Sequence, residues 1–514
     1  MRREHAQVMI VGGGPVGMLV AAELGAHGVR TLLLEAQATV SERPKARVLH
    51  ARALQGLARR GYFPELGPTA GADGAEAQAP FRYAGIPGLF ITAPASEPGP
   101  VLKRPQADLE RLFEQRARAV GVRILRAHHV TEVAQGRDGV RVLAKGLHGP
   151  VLCTARYLVG ADGGRSTVRE LAGIPARTYP ATTSGLSGLI TLRDPKVLEP
   201  GWHRTPRGWI VVHDIPGTGT HVRTLDCTGA HPARHLPPTP EELRDELSRI
   251  AGEDIEIRDP RWLSRFSDFA RLVRSYRFGR IFLAGDAAHM HFPVGAQGVS
   301  TGVQDALNLG WKLALAVLGR AGEDLLDTYD AERRPEAQRV IDNTRAQLAL
   351  MRPGPEADAL RGVFAELVSA GRDSRYLSDM ISGQDTVLPG CSRRPSAWEG
   401  RFLQNVALST GAGRTDVIQL LRAGRPLLLA FGEQGRRCVQ DAREWAGVLR
   451  LVRAEPTPEV PCVAVLVRPD GYVAWAAPSD GVGHGLADAL SLYFGRRPAL
   501  AAERPALAGA GALS

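Results

Sequence analysis

The chain has 514 residues, 44% of them apolar and 23% charged, which supports two to four domains with a large core and excludes a disordered polymer. Its formal charge of +10 comes mainly from arginine, because lysine occurs only at Lys45, Lys103, Lys145, Lys196 and Lys312. The arginines are interspersed with acids, no basic run or aromatic-interleaved stripe forms, and nucleic-acid binding is not expected. Five scattered cysteines make no CxxC pair and no His/Cys cluster at zinc spacing, so neither a disulfide framework nor a structural metal is expected. The apolar stretch over residues 8–22 is too short and too glycine-broken to cross a bilayer, and no small-residue cleavage site follows. A cytoplasmic protein without a membrane span is the expectation.

In chain order, "AQVMIVGGGPVGMLVAAELGAHGVRTLLLEA" comes first. It reads as strand, glycine turn, helix and second strand, with Gly12, Gly14 and Gly17 in G-x-G-x-x-G spacing and Pro15 opening the helix. Gly12 permits a tight turn, Gly14 lets backbone approach a pyrophosphate, and Gly17 lets helix and strand pack closely. The unpaired N–H groups of the helix start attract phosphate, and Glu35 ends the second strand where a carboxylate accepts from ribose hydroxyls. This predicts dinucleotide binding and leaves FAD and NAD(P) open.

"RPKARVLHARALQGL" (43–57) and "RPQADLERLF" (104–113) follow as helical segments. Residues 76–104 and 176–274 have another texture: short alternating runs punctuated by Gly, Pro and Thr, read as antiparallel strands. Their Phe81, Tyr83, Phe90, Trp202, Trp209 and His213 are candidates for lining an aromatic pocket. Two further strands end in acidic turns, "YLVGADGGRSTVRELAGI" at Asp162 and "RIFLAGDAAHMHFPVGAQG" at Asp286. The second runs on through a glycine-punctuated loop into a helix expected near Thr301. His289 and His291 have no third ligand nearby in sequence and are read as packing residues, not as a metal pair. After residue 389 the chain reads strand (around "RPLLLAFG"), helix (over "VQDAREWAGVLRLVRAE"), a hairpin turning at Asp470-Gly471, and a last helix over "HGLADALSLYF".

Three strand-terminal nucleotide signatures spread over nearly the whole chain resemble the class A, para-hydroxybenzoate hydroxylase-type FAD-dependent monooxygenases. The C-terminal "RPDGYVAW" stretch is similar to the aromatic polyketide hydroxylase subgroup. The resemblance implies an α/β fold: a discontinuous Rossmann-like FAD domain (1–75, 105–175 and 275–389), an inserted antiparallel β-sheet substrate domain (76–104 and 176–274), and a thioredoxin-like domain (390–514) lacking CxxC. It implies FAD contacts from Gly12, Gly14, Pro15, Gly17, Glu35, Lys45, Arg52, Gln106, Asp162 and Asp286, and from the loop Pro293, Gly295, Ala296, Gln297 and Gly298. Lys45 stands where that family usually has arginine, and Gln55 where it usually has glutamate. NADPH or NADH would reduce the flavin, and O2 would be activated as a C4a-hydroperoxide that hydroxylates a polycyclic aromatic polyketide of angucycline, anthracycline or tetracycline type. Baeyer–Villiger oxidation, antibiotic inactivation and non-catalytic FAD binding are the alternatives. The chemistry is flavin-centred, so no catalytic side chain is named; the expected partner is a small molecule, and the expected state is a monomer or homodimer.

Overall fold

A computed structural model of the chain describes residues 1–64, 76–215, 217–232, 236–371, 374–390, 392, 395–479 and 485–495. At its centre lies a six-stranded sheet in the order Arg277–Phe278, Ile281–Leu283, Tyr157–Gly160, Val8–Val11, Thr31–Leu34, Arg123–Leu125. All neighbours but the first pair run parallel. Val8–Val11 and Thr31–Leu34 are buried throughout, the continuous apolar pattern of a strand covered on both faces. The strands that precede Gly12, Asp162 and Asp286 are adjacent in this sheet and parallel. Three motifs up to 274 residues apart therefore open at one edge, where parallel α/β sheets bind nucleotides.

The expected antiparallel insertion is present, with narrower bounds. Five strands, ordered Gly201–Thr205, Gly208–Ile215, Gly219–Asp226, Ser184–Leu192, Ile257–Ser267, form one sheet. The helix Pro240–Ala251 closes its outer face through Leu243, Leu247 and Ile250. Ala77–Tyr83 and Ile86–Ala93 do not join it. They make a separate hairpin that touches the helices Pro355–Ser369 and Ser374–Ser382.

The C-terminal region forms a six-stranded sheet, with a parallel pair Leu427–Phe431 and Arg450–Ala454 inside it. One expectation fails here: the helix read over residues 439–455 is only Arg436–Asp441 followed by a one-turn segment Arg443–Trp445. Arg450–Ala454 gains five ladder partners from Leu427–Phe431, a non-local pairing that overrides local helical preference. Cys153, Cys227 and Cys438 are free thiols, and no helix among the described residues is long and apolar enough to cross a membrane.

Candidate active site

The first helix, Pro15–Ala26, begins with Gly14 as N-cap, Pro15 at its first position and no side-chain cap, leaving its first N–H groups to face outward. The glycines differ in what surrounds them. Gly12 has φ +107°, and a Cβ there would lie 2.3 Å from the Ala161 carbonyl oxygen; a Cβ on Gly17 would lie 2.0 Å from the Gly12 oxygen. Around Gly14 no atom lies within 4 Å of that position. The two outer glycines hold the turn, and the middle one borders open space at a helix N-terminus, the cradle that a pyrophosphate requires. Glu35 is half-buried, and its carboxylate accepts from the Gly13 N–H at 2.5 Å and the Gln37 N–H at 2.7 Å, which fixes it beside the turn.

At the next strand Asp162 is held by the protein itself. Its oxygens accept from Ser166 Oγ at 2.5 Å and the Val168 N–H at 3.0 Å, so it staples the short helix Thr167–Leu171, and burial pushes its pKa up. Arg169 from that helix donates to the Ala287 carbonyl at 3.1 Å and the Gly164 carbonyl at 3.2 Å, tying the two acidic turns together. At the third strand Asp286 is exposed in the turn Gly285–Ala287, free to meet a hydroxylated ligand chain. Behind it, buried Asp305 accepts from the Gly285 N–H at 3.1 Å and Arg333 Nε at 2.9 Å, with His289 Nε2 2.7 Å away. His289 is thus part of a charge network, His291 bonds the Phe292 carbonyl, and no His/Cys/Asp/Glu group among the described residues is arranged to hold a metal.

The loop after His291 exposes Pro293 and Ala296. Gly295 has φ +80° and Ala296 φ +54°, a left-handed pair that turns the backbone outward. The following helix starts at Gly298 instead of near Thr301 and runs to Val317, again without a side-chain cap. Gln297 points inward: its amide donates to the Ile381 carbonyl at 3.2 Å and accepts from Asn343 at 2.6 Å. That side chain anchors the loop to the protein behind it.

The residues of the 43–57 segment lie at different depths. Lys45 is exposed. Arg52 is buried, donates to the Gly383 and Gln384 carbonyls and to Gln55, and lies 3.9 Å over the Phe402 ring, so it braces the C-terminal region. His50, which sequence reasoning missed, is the residue that reaches the loop: its Nε2 lies 2.9 Å from the Gly295 oxygen, and its N–H donates to Ser300 Oγ at 3.0 Å. Burial lowers its pKa, keeping the ring neutral. Gln106, half-buried, opens the helix Gln106–Ala119 and donates its N–H to the Ala46 carbonyl at 2.9 Å.

Four of the six aromatic candidates meet in one cluster. Tyr83 and Trp209, with Phe81 and Trp202 at its margin, pack with Phe292 and Val294 of the loop. Trp209 Nε1 donates to the Met351 carbonyl at 2.7 Å, and the Tyr83 hydroxyl donates to Asn343 at 3.0 Å. Phe90 is 47% exposed because strand alternation gives Leu89 and Ile91 to the core and turns Phe90 out. His213 is exposed. Phe266, whose ring centroid is 6.0 Å from that of Phe292, belongs to the same wall and went unread, since only the register shows which face of a strand looks at the loop.

An open phosphate cradle, an exposed strand-terminal carboxylate and a left-handed backbone loop, all at one sheet edge, define a dinucleotide-binding flavoprotein site. The chain matches the FAD binding domain family model over residues 5–344 and the "Aromatic-ring hydroxylase, C-terminal" model over residues 396–497. A 12-dehydrotetracycline 5-monooxygenase/anhydrotetracycline 6-monooxygenase of Streptomyces rimosus subsp. rimosus is 36% identical over 95% of this chain and 98% of its own length. A dialkyldecalin synthase of Streptomyces rugosporus is 38% identical over 95% and 98%. The solved structure of an anhydrotetracycline hydroxylase from Streptomyces rimosus superposes with a TM-score of 0.86 at 35% identity, covering 96% of this chain and 100% of that one. The chain belongs to the FAD-dependent aromatic-ring hydroxylases and is a flavin-dependent monooxygenase.

Proposed function

We propose that the protein hydroxylates a polycyclic aromatic polyketide of the anhydrotetracycline kind, consuming NADPH or NADH. The carrying observation is the aromatic wall of Phe81, Tyr83, Trp202, Trp209 and Phe266, which meets the loop Pro293–Gly298 through Phe292 and Val294. Fused rings match such a wall in shape and polarity.

The residues present fit FAD. Gly12–Gly17 and the start of the first helix would hold its pyrophosphate, Glu35 its ribose, Asp286 its polyol chain, and the loop backbone its ring system. FAD, when bound, supplies electron acceptance from the nicotinamide and activation of dioxygen. The chain's own work is positional. His50 and Gln297 fix the loop from behind, the uncapped start of the helix Gly298–Val317 favours negative charge before it, and the aromatic wall excludes water and orients the ring to be oxidised.

The test is aerobic NADPH oxidation by FAD-loaded protein with and without anhydrotetracycline and related polycyclic phenols. Substrate-stimulated oxidation with a product heavier by one oxygen is expected. The dialkyldecalin synthase relative favours a second reading, in which the same flavoprotein scaffold shapes a substrate without consuming NAD(P)H. A product of unchanged mass formed with no NADPH loss would establish that reading and reject hydroxylation.

A further inference from the structure

Residues 468–472 of the "RPDGYVAW" stretch form the turn between the strands Cys462–Val467 and Val473–Pro478, and this turn lies against half-buried Phe402. Gly471 has φ +91°, and a Cβ there would lie 2.6 Å from Phe402 Cε2 and 3.0 Å from Arg59 Cδ, so glycine is what lets the ring sit this close. The Tyr472 ring meets that of Phe402 edge-on at 5.2 Å, and the Leu403 N–H donates to the Gly471 carbonyl at 2.9 Å. The turn thus holds Phe402 from one side.

On its other side is the helix Ala51–Arg59, buried along its whole length. The guanidinium carbon of Arg52 lies 3.9 Å from the Phe402 ring centroid and that of Arg59 lies 4.3 Å from it. Arg59 has a carboxylate partner, Glu97, at 2.6 Å. Arg52 bonds no carboxylate among the described residues: its fork donates to the Gly383 carbonyl at 3.2 Å, the Gln384 carbonyl at 2.8 Å and the Gln55 amide oxygen at 2.7 Å. Burial disfavours its charge, and where no anion is bonded the face of an aromatic ring offsets part of that cost.

Arg52 is tied to the flavin loop by two routes. Two residues before it in the chain, the His50 ring holds the Gly295 oxygen at 2.9 Å and its N–H donates to Ser300 Oγ at 3.0 Å. Two residues before Gly383, the Ile381 carbonyl accepts from the Gln297 amide at 3.2 Å. Both anchors of the loop Pro293–Gly298 therefore lead to one buried cation, and that cation is braced by Phe402 from the C-terminal region.

We infer that Phe402 is a positioning residue for FAD, through which the C-terminal region sets the flavin loop by way of Arg52 and the helix Ala51–Arg59. The C-terminal region then takes part in flavin binding as well as in packing, whichever substrate the flavin serves.

The test is titration of flavin-free protein with FAD, read by quenching of flavin fluorescence and by the visible spectrum of the bound flavin, with urea midpoints measured alongside. Phe402→Leu is expected to raise the Kd for FAD at least about tenfold, the scale of one desolvated cation–aromatic contact, and to change the bound-flavin spectrum. Phe402→Tyr keeps the aromatic face and should stay within about threefold of wild type. Leu490 packs in a separate cluster of the same region, with Trp445 and Trp475, so Leu490→Ala should lower the urea midpoint and leave the Kd within about twofold. In His50→Ala, where one route is already cut, Phe402→Leu should add less than about threefold. Wild-type affinity and spectrum in Phe402→Leu overturn the inference, as does equal weakening in Leu490→Ala or a full tenfold loss repeated in the His50→Ala background. Where Phe402→Leu does not fold, amide exchange of the wild type decides: reciprocity requires FAD loading to slow exchange at Leu403 more than at Leu490, and equal slowing overturns the inference.

Discussion

Gly14 and Gly17 are three residues apart, yet substitution should affect different properties. A Cβ on Gly17 would lie 2.0 Å from backbone, whereas Gly14 has no atom within 4 Å and an ordinary extended φ of −68°. Gly17→Ala is expected to lower stability by about 2 kcal/mol through overpacking. Gly14→Val should leave the urea midpoint of the flavin-free protein unchanged while abolishing FAD uptake, read from the visible flavin absorbance per chain. Asp286→Ala should also lose flavin without loss of stability, because the carboxylate is exposed; full flavin occupancy would remove Asp286 from the site. The turn at Gly12 and the close packing at Gly17 were legible in the sequence because each follows from backbone geometry alone. Sequence spacing could not reveal that the polar atoms of Asp162 bond to Ser166 and Val168, or those of Arg52 to Gly383 and Gln384.

The helix Pro240–Ala251 shows an element specified at its ends and compromised in its middle. Thr239 caps it by accepting from the Glu242 N–H at 3.2 Å, Pro240 opens it, and Gly252 closes it with φ +86°, each a feature of local sequence. Its packing face also buries Glu246, whose carboxyl is pushed up to about 7 by burial, which outweighs the Thr224 hydrogen bond. A carboxyl with a raised folded-state pKa stabilises fully below its unfolded value of 4.5, and that contribution is lost as pH rises through about 7. Glu246→Gln should therefore match wild type near pH 4 and exceed it by on the order of 2 kcal/mol at pH 8. Thermal melts at the two pH values measure this, and a difference independent of pH would reject the assignment.

At the scale of the whole molecule, the C-terminal region is locked to the flavin domain by a buried four-charge cluster. Arg468 donates to both oxygens of Glu332, at 2.8 and 2.7 Å, and to Asp470 at 2.6 Å; Lys312 donates to Glu332 at 2.7 Å. Burial pushes the Glu332 carboxyl up, but Arg468 and Lys312 outweigh it and hold it at about 2. Around these charges Trp311, Leu315 and Leu325 pack with Leu466, Trp475 and Tyr493. Arg468→Ala leaves Asp470 without its guanidinium and Glu332 with one cation instead of two, and should cost about 3–5 kcal/mol in chemical denaturation. A loss below about 1 kcal/mol would place the cluster among weakly contributing ion pairs.

The sequence by itself determined the nucleotide edge, the antiparallel insertion and most of the strands, because glycine turns, strand alternation and apolar runs are local consequences of backbone sterics and burial. Only the tertiary structure decided that Arg450–Ala454 is a strand, that His50 bonds the Gly295 carbonyl, and that Arg52 reaches the Gly383 and Gln384 carbonyls. Each of these depends on a partner far away in the chain, and burial, pairing and desolvation take their sign from that partner.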